Sequence, residues 1–212
     1  EVPTREQLER LVAGPLPLDL RETATGIDAF RLVHFDAPGG DLEHKGATVR
    51  LRIGRDGRRT LAVAVRERET EDGVVIRREL AADVPDLPAP DLFAGDSEAA
   101  RLVRALIDPA RLGIAFELEV VRRSRDALAA DGAPIRFHFD AVTVRRGDLT
   151  GDLQELEVCV DDDDGGRRFD ALVRALESEH GLRLTLADTV ARARELLAAL
   201  EIEALEREVR AA

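Results

Sequence analysis

The chain has 212 residues, 44% of them hydrophobic, 35% charged and 3% aromatic, with a formal net charge of −12 and one cysteine, Cys159. That length can bury a sizeable core. The composition argues against a membrane span, a disulfide scaffold, a disordered chain or a partner as acidic as duplex nucleic acid. Lys45 is the only lysine, so arginine carries nearly all the positive charge. Arginine is the planar, bidentate ligand of phosphate oxygens.

The sequence opens at Glu1 with no initiator methionine, and Glu1 to Arg10 are polar with no apolar leader stretch. A cytoplasmic chain is the simplest expectation, belonging to a longer polypeptide. Thr4 and Gln7 have capping-box spacing, Leu8, Leu11 and Val12 share a helical face, and Gly14 stops the helix. From about Ile27 to Val84 the period becomes two, in Val49–Ile53, Leu61–Arg66 and Val74–Leu80. Gly54–Gly57 and Asp72-Gly73 are the turns. Prolines 85, 88 and 90 mark a connection. A helix is expected over Ser97–Asp108, with Leu102, Val103, Leu106 and Ile107 inward and Pro109 ending it.

A second strand block follows in Ile114–Arg123, Ile135–Val144 and Leu153–Val160, with Asp131-Gly132 as a turn. The C-terminal third reads as two helices, Arg168–Glu179 closed by Gly181 and Asp188 to about Arg210. No internal repeat or low-complexity tract interrupts this order. The fold class is α+β with antiparallel strands.

The polar strand faces carry chemistry. They hold Arg50/Arg52, Arg136/His138/Asp140 and Glu155/Glu157, while the opposite faces hold Val49/Leu51/Ile53, Ile135/Phe137/Phe139 and Leu156/Val158. One reading is a solvated outer face. The other has helices on the apolar faces and a barrel interior lined by charge, with anions and metal ions between like charges.

Several stretches resemble the CYTH-domain family, the triphosphate tunnel metalloenzymes. His34-Phe35-Asp36-Ala37-Pro38 is similar to that family's Tyr-Phe-Asp-Thr-Pro element. Leu42, Gly46 and Val49-Arg50-Leu51-Arg52 follow its leucine, glycine and Leu-Arg-x-Arg spacing. Arg77-Arg78-Glu79 resembles its basic-acidic strand and Arg123-Ser124-Arg125 its Arg-Thr-Arg. Asp140 stands where a strand-ending aspartate is expected, and Glu155-Leu156-Glu157 resembles its late Glu-x-Glu.

The resemblance implies a single domain over 1–212, folded as an eight-stranded antiparallel β-barrel, a tunnel with charged interior covered by helices. Arg50, Arg52, Arg66, Arg77, Arg123 and Arg125 would bind the triphosphate or polyphosphate ligand. Glu79, Glu155 and Glu157 would hold Mg2+ or Mn2+, hard cations that prefer carboxylate oxygens. The implied activity is metal-dependent hydrolysis of tripolyphosphate, thiamine triphosphate or a nucleoside triphosphate. An adenylyl-cyclase activity also occurs in the family.

The sequence departs from the family in four places. The Glu-x-Glu-x-Lys strand lies upstream of Glu1 or is lost, Arg66 replaces a lysine, position 81 is alanine, and Asp188-Thr189-Val190 replaces a Ser-Lys pair. These losses leave a second reading open, a catalytically degenerate polyphosphate- or partner-binding module. A homodimer and an additional domain also stay open.

Other signals read as structure. Asp161–Asp164 suits a turn before a helix and lacks EF-hand alternation. The four histidines have no zinc spacing, although His138 is a candidate lining residue. Cys159, between Val158 and Val160, reads as packing. No nucleophile elbow or phosphate loop is present.

Overall fold

The structure, a computed structural model, describes residues 2–69, 75–160, 166–185 and 187–211. The elements follow in order: α1 (Arg5–Ala13), β1 (Arg21–Asp36), α2 (Asp41–His44), β2 (Ala47–Gly54), β3 (Arg59–Glu69), β4 (Val75–Asp83) and α3 (Ala89–Leu92). Then come α4 (Glu98–Leu106), β5 (Gly113–Leu128), β6 (Pro134–Arg146), β7 (Leu149–Val160), α5 (Arg167–His180) and α6 (Thr189–Ala211). The turns expected at Asp72-Gly73 and Asp161–Asp164 lie outside the described residues.

Local chemistry sets the helix ends where the sequence placed them. The Thr4 hydroxyl accepts from the Gln7 amide at 3.2 Å, and Gly14 N–H closes α1 on the Arg10 carbonyl at 2.9 Å. The Ser97 hydroxyl accepts from the Ala100 amide at 3.1 Å to start α4, and Asp108 and Pro109 follow where it ends. Gly181, at φ 63°, ends α5 in the left-handed region that glycine enters without strain.

The strands form one sheet in the order β4-β3-β2-β1-β5-β6-β7. An eight-stranded closed barrel was expected. Among the described residues the order has seven strands, beginning at β4 and ending at β7. The segment before β1 is spent on α1 and the short 3-10 turn Pro17–Asp19, so it supplies no eighth strand.

Contacts group the chain into two compact units, one of residues 1–28, 120–143 and 151–212, the other of residues 29–119 and 144–150. In the second unit β1–β2, β2–β3 and β3–β4 pair antiparallel. Val33, Phe35, Val49, Leu51, Leu61 and Val63 point to one side and pack with Phe93, Ala99, Ala100, Val103 and Ile107. Each such buried Val, Leu or Phe contributes roughly 1.5–3 kcal/mol. Asp36 is buried at the end of β1, and its carboxylate accepts from the amides of Ala37, Leu42 and Glu43 at 2.7, 2.9 and 3.3 Å. It thereby shapes the turn into α2. Gly46 has φ 64° and lies where a Cβ would come 3.1 Å from Cβ of Arg66, so a side chain here would be strained in φ and would crowd β3.

The first unit repeats the logic with other helices. Ile135, Phe137 and Phe139 of β6 are buried with Leu8 and Leu11 of α1 and Leu172 of α5. Leu156, Val158 and Val160 of β7 pack against the same cluster. In each unit helices cover the apolar strand faces, and α6 lies against the opposite face of β7, where Leu196 and Leu200 approach Gly151.

Candidate functional site

With the apolar faces covered, period-two alternation sends the charged residues to the opposite side. In the second unit, register puts Arg50 opposite Ala62, Arg52 opposite Thr60, Arg66 opposite Arg77, and Ala64 opposite Glu79. Arg50, Arg52, Arg66, Arg77 and Glu79 thus share one face, whose middle strand carries the small residues Ala62 and Ala64. Arg50 Nη2 donates to both oxygens of Glu79, at 2.9 and 2.8 Å. The Arg52 guanidinium stands 4.3 Å from the Phe30 ring centroid, a cation–π contact. Arg66 and Arg77 are exposed. On the same face of β1, His34 is buried and stacks on Phe116 with centroids 4.6 Å apart.

In the first unit the charged face is built on β5, β6 and β7. Arg122 holds Asp140 with two charge-assisted bonds, Nε to Oδ1 at 2.9 Å and Nη2 to Oδ2 at 2.6 Å. The same Nη2 donates to Glu157 Oε2 at 3.2 Å. Nδ1 of His138 lies 3.1 Å from that oxygen. Arg136 Nε donates to Asp126 at 2.5 Å.

Glu155 is held more tightly. Thr189, the first residue of α6, donates its hydroxyl to Oε2 at 2.6 Å, and Arg192 Nη1 donates to Oε1 at 2.8 Å. Thr189 belongs to the triplet that stands where the family's Ser-Lys was expected.

The structure does not bring Arg123 and Arg125 onto this face. Arg123 is paired with Glu9 of α1, through Nη2 to Oε1 at 3.0 Å and a second bond to Oε2. Arg125 is paired with Glu22 and donates to the carbonyls of Val12 and Gly14 at 3.3 and 2.7 Å. Alternation along β5 sends the odd-numbered arginines to α1 and leaves Arg122 to meet Asp140. Cys159 was expected in packing. It is exposed instead, because Val158 and Val160 take the core side of β7.

The electrostatics follow from these contacts. Burial pushes the Glu155 carboxyl above its ordinary value, against the opposing pull of Thr189 and Arg192. Burial also works against the Arg122 cation, but the bonds and charge of Asp140 prevail and raise its value. The Arg136 guanidinium holds Asp126 below the usual carboxylate range, and Arg123 does the same for Glu9. Burial, then the Glu157 charge, raises the Cys159 thiol.

Carboxylates on this face are the donor type a hard divalent ion takes, and Glu155 and Glu157 are neighbours on one side of β7. In donor chemistry they fit magnesium or manganese. Each is at present engaged by a guanidinium, Glu155 by Arg192 and Glu157 by Arg122. Glu79 is engaged likewise by Arg50. Among the described residues, no helix is long and apolar enough to cross a membrane.

The family model of the CYTH domain matches residues 2–193. No curated protein sequence matches the chain. Among solved structures it is similar to an adenylate cyclase candidate of Bacillus halodurans, at 12% identity and a TM-score of 0.58, covering 90% of this chain and 92% of that one. It is also similar to an adenylyl cyclase candidate of Hippeastrum with a dominant triphosphatase activity, at 16% identity and a TM-score of 0.59, covering 92% of each chain. At such identities the two structures speak for the fold, and with the family match over most of its length they place this chain in the CYTH family.

Proposed function

We propose that the chain binds a triphosphate-bearing compound, or inorganic tripolyphosphate or polyphosphate, and hydrolyses it with Mg2+ or Mn2+. The observation that carries this reading is the face of the second unit. Four arginines, Arg50, Arg52, Arg66 and Arg77, project from the side of β2, β3 and β4 opposite the core, around a lane of alanines. Glu79 and Asp83 share the face, so it is of mixed charge with arginine in excess. Guanidinium forks suit the oxygens of a linear polyanion. The triphosphatase activity of the Hippeastrum relative is in keeping with this chemistry.

In this reading the arginines bind and orient the phosphates, and Arg122, fixed by Asp140, keeps Glu157 in place. Glu155 and Glu157 are the residues that would hold the divalent ion. When bound, such an ion neutralises charge on phosphoryl oxygens and acidifies water. Positioning and electrostatics are the main protein contributions to phosphoryl transfer. Replacing Glu155 and Glu157 together by Gln should abolish metal-dependent phosphate release while circular dichroism and the melting transition persist. Undiminished release in the double variant would overturn these roles.

A second reading has its own support. All three expected metal ligands, Glu79, Glu155 and Glu157, are ion-paired to arginines, an arrangement suited to a module that binds polyphosphate without turnover. Tripolyphosphate binding by calorimetry with no phosphate released under any divalent ion would favour it.

A further inference from the structure

The first unit brings together three donor groups of a different chemical character. His138 on β6 and Glu157 and Cys159 on β7 each offer one ligand atom, and these atoms all lie within 4.8 Å of one another. His138 Nδ1 and Glu157 Oε2 are 3.1 Å apart. Tetrahedral bonds of roughly 2.0–2.3 Å to zinc separate ligand atoms by about 3.3–3.6 Å, so the three groups need only side-chain adjustment to converge on one ion. All three stand on strands, which hold a site more exactly placed than loops do. Glu157 and Cys159 are exposed, which leaves the position open to ions from solvent.

We propose that His138, Glu157 and Cys159 form a binding site for a borderline divalent cation of the zinc type. Imidazole, carboxylate and thiolate together match zinc-class ions and are a poor set for magnesium, which takes oxygen ligands. Charge supports the assignment. Arg122 is shared between Asp140 and Glu157, and Arg136 pairs with Asp126, so two guanidinium groups face three carboxylates and the cluster keeps one negative charge in excess. Binding expels the thiol proton to solvent and sets the metal dication against thiolate and carboxylate. With three protein ligands a fourth position stays open, as it does in zinc sites that exchange water or an external ligand. The site shares Glu157 with the phosphate reading but depends on His138 and Cys159, which that reading does not use.

The test is titration of the chelator-treated chain with zinc chloride by calorimetry, and with cobalt chloride by absorption spectroscopy. Wild type should bind a single zinc ion in excess magnesium and develop a thiolate-to-cobalt charge-transfer band. Cys159→Ser should lose that band and at least about tenfold in zinc affinity, and His138→Gln at least about tenfold with the band retained. Melting curves without metal verify that both variants fold. Equal zinc affinity in wild type and either variant, or no thiolate band in wild type, would overturn the proposal. Phosphate release by Cys159→Ser with magnesium and no zinc should equal wild type. Failure of tripolyphosphate to bind wild type would count against the phosphate reading alone.

Discussion

Arg50 on β2 and Glu79 on β4 are joined by a fork of two bonds, at 2.9 and 2.8 Å, across the strand that lies between them. Only small side chains on that strand permit the span, and Ala62 and Ala64 provide them. The pair is partly solvent-exposed, with side chains at 34% and 43%, so it adds less than about 1 kcal/mol to stability. Its interest lies in what it withholds: a guanidinium fork already aimed along the face.

Anion binding therefore competes with Glu79 for Arg50. Arg50→Ala should weaken tripolyphosphate binding by roughly 1.5–3 kcal/mol, the scale of a charge-assisted bond. Glu79→Gln should strengthen metal-free binding, because the competing carboxylate is gone. Calorimetry on both variants measures each effect, and Arg50→Ala with wild-type affinity would show that the fork takes no part.

Arg122 and Arg123 are adjacent in sequence and should behave as opposites. Arg122→Ala leaves Asp140, whose side chain is 6% exposed, without its bidentate partner, and costs on the order of 3 kcal/mol. Arg123→Ala breaks a half-exposed pair with Glu9, costs under about 1 kcal/mol, and should leave tripolyphosphate affinity at the wild-type level. Urea unfolding and calorimetry separate the two. A large affinity loss in Arg123→Ala would return that residue to the binding face.

Glu155 predicts a pH dependence of definite sign. Its folded-state value is raised chiefly by burial, so the folded chain takes up this proton before the unfolded chain does as pH falls. The group's contribution to stability is greatest below the ordinary carboxylate value and is lost as pH rises through the raised one. Glu155→Gln removes that dependence. The melting temperature of Glu155→Gln minus that of wild type should therefore grow as pH rises across the interval, and a difference that shrinks would show that Arg192 and Thr189 outweigh burial.

Gly46→Ala tests the approach of α2 to β3. Alanine at φ 64° costs roughly 1–2 kcal/mol in backbone strain alone. The contact with Arg66 Cβ adds to that, so thermal denaturation should show a clear drop. An unchanged melting temperature would mean that the turn relaxes freely.

Helix caps and strand faces were legible because each depends on residues close in sequence. Thr4 and Gln7, Ser97 and Ala100, and the alternation of Val49 to Ile53 all proved local matters. The β5 face was not legible. The run Arg122-Arg123-Ser124-Arg125 puts cations on both sides of the strand, and the buried Leu118 and Val120 share parity with Arg122, so hydrophobicity cannot choose the face. Only the partner strand, through Asp140, decides it. Thr189 and Arg192 were missed as partners of Glu155 because they lie 34 and 37 residues away from it. Glu157 and Cys159 are neighbours by period-two spacing, but His138 lies 19 residues before Glu157 on another strand, and only the fold brings it to them.

The positive charge of the β2–β4 face is entirely guanidinium. An ammonium group begins to lose its proton near pH 10, whereas guanidinium stays charged beyond pH of about 12. Any anion this face attracts should stay attracted into strongly alkaline solution, for as long as the strands remain folded. Amine-directed reagents would likewise find no lysine on it, since Lys45, the only one, donates its ammonium to the Leu106 carbonyl elsewhere. Arginine-directed dicarbonyl reagents would find several targets, and bound phosphate would shield them.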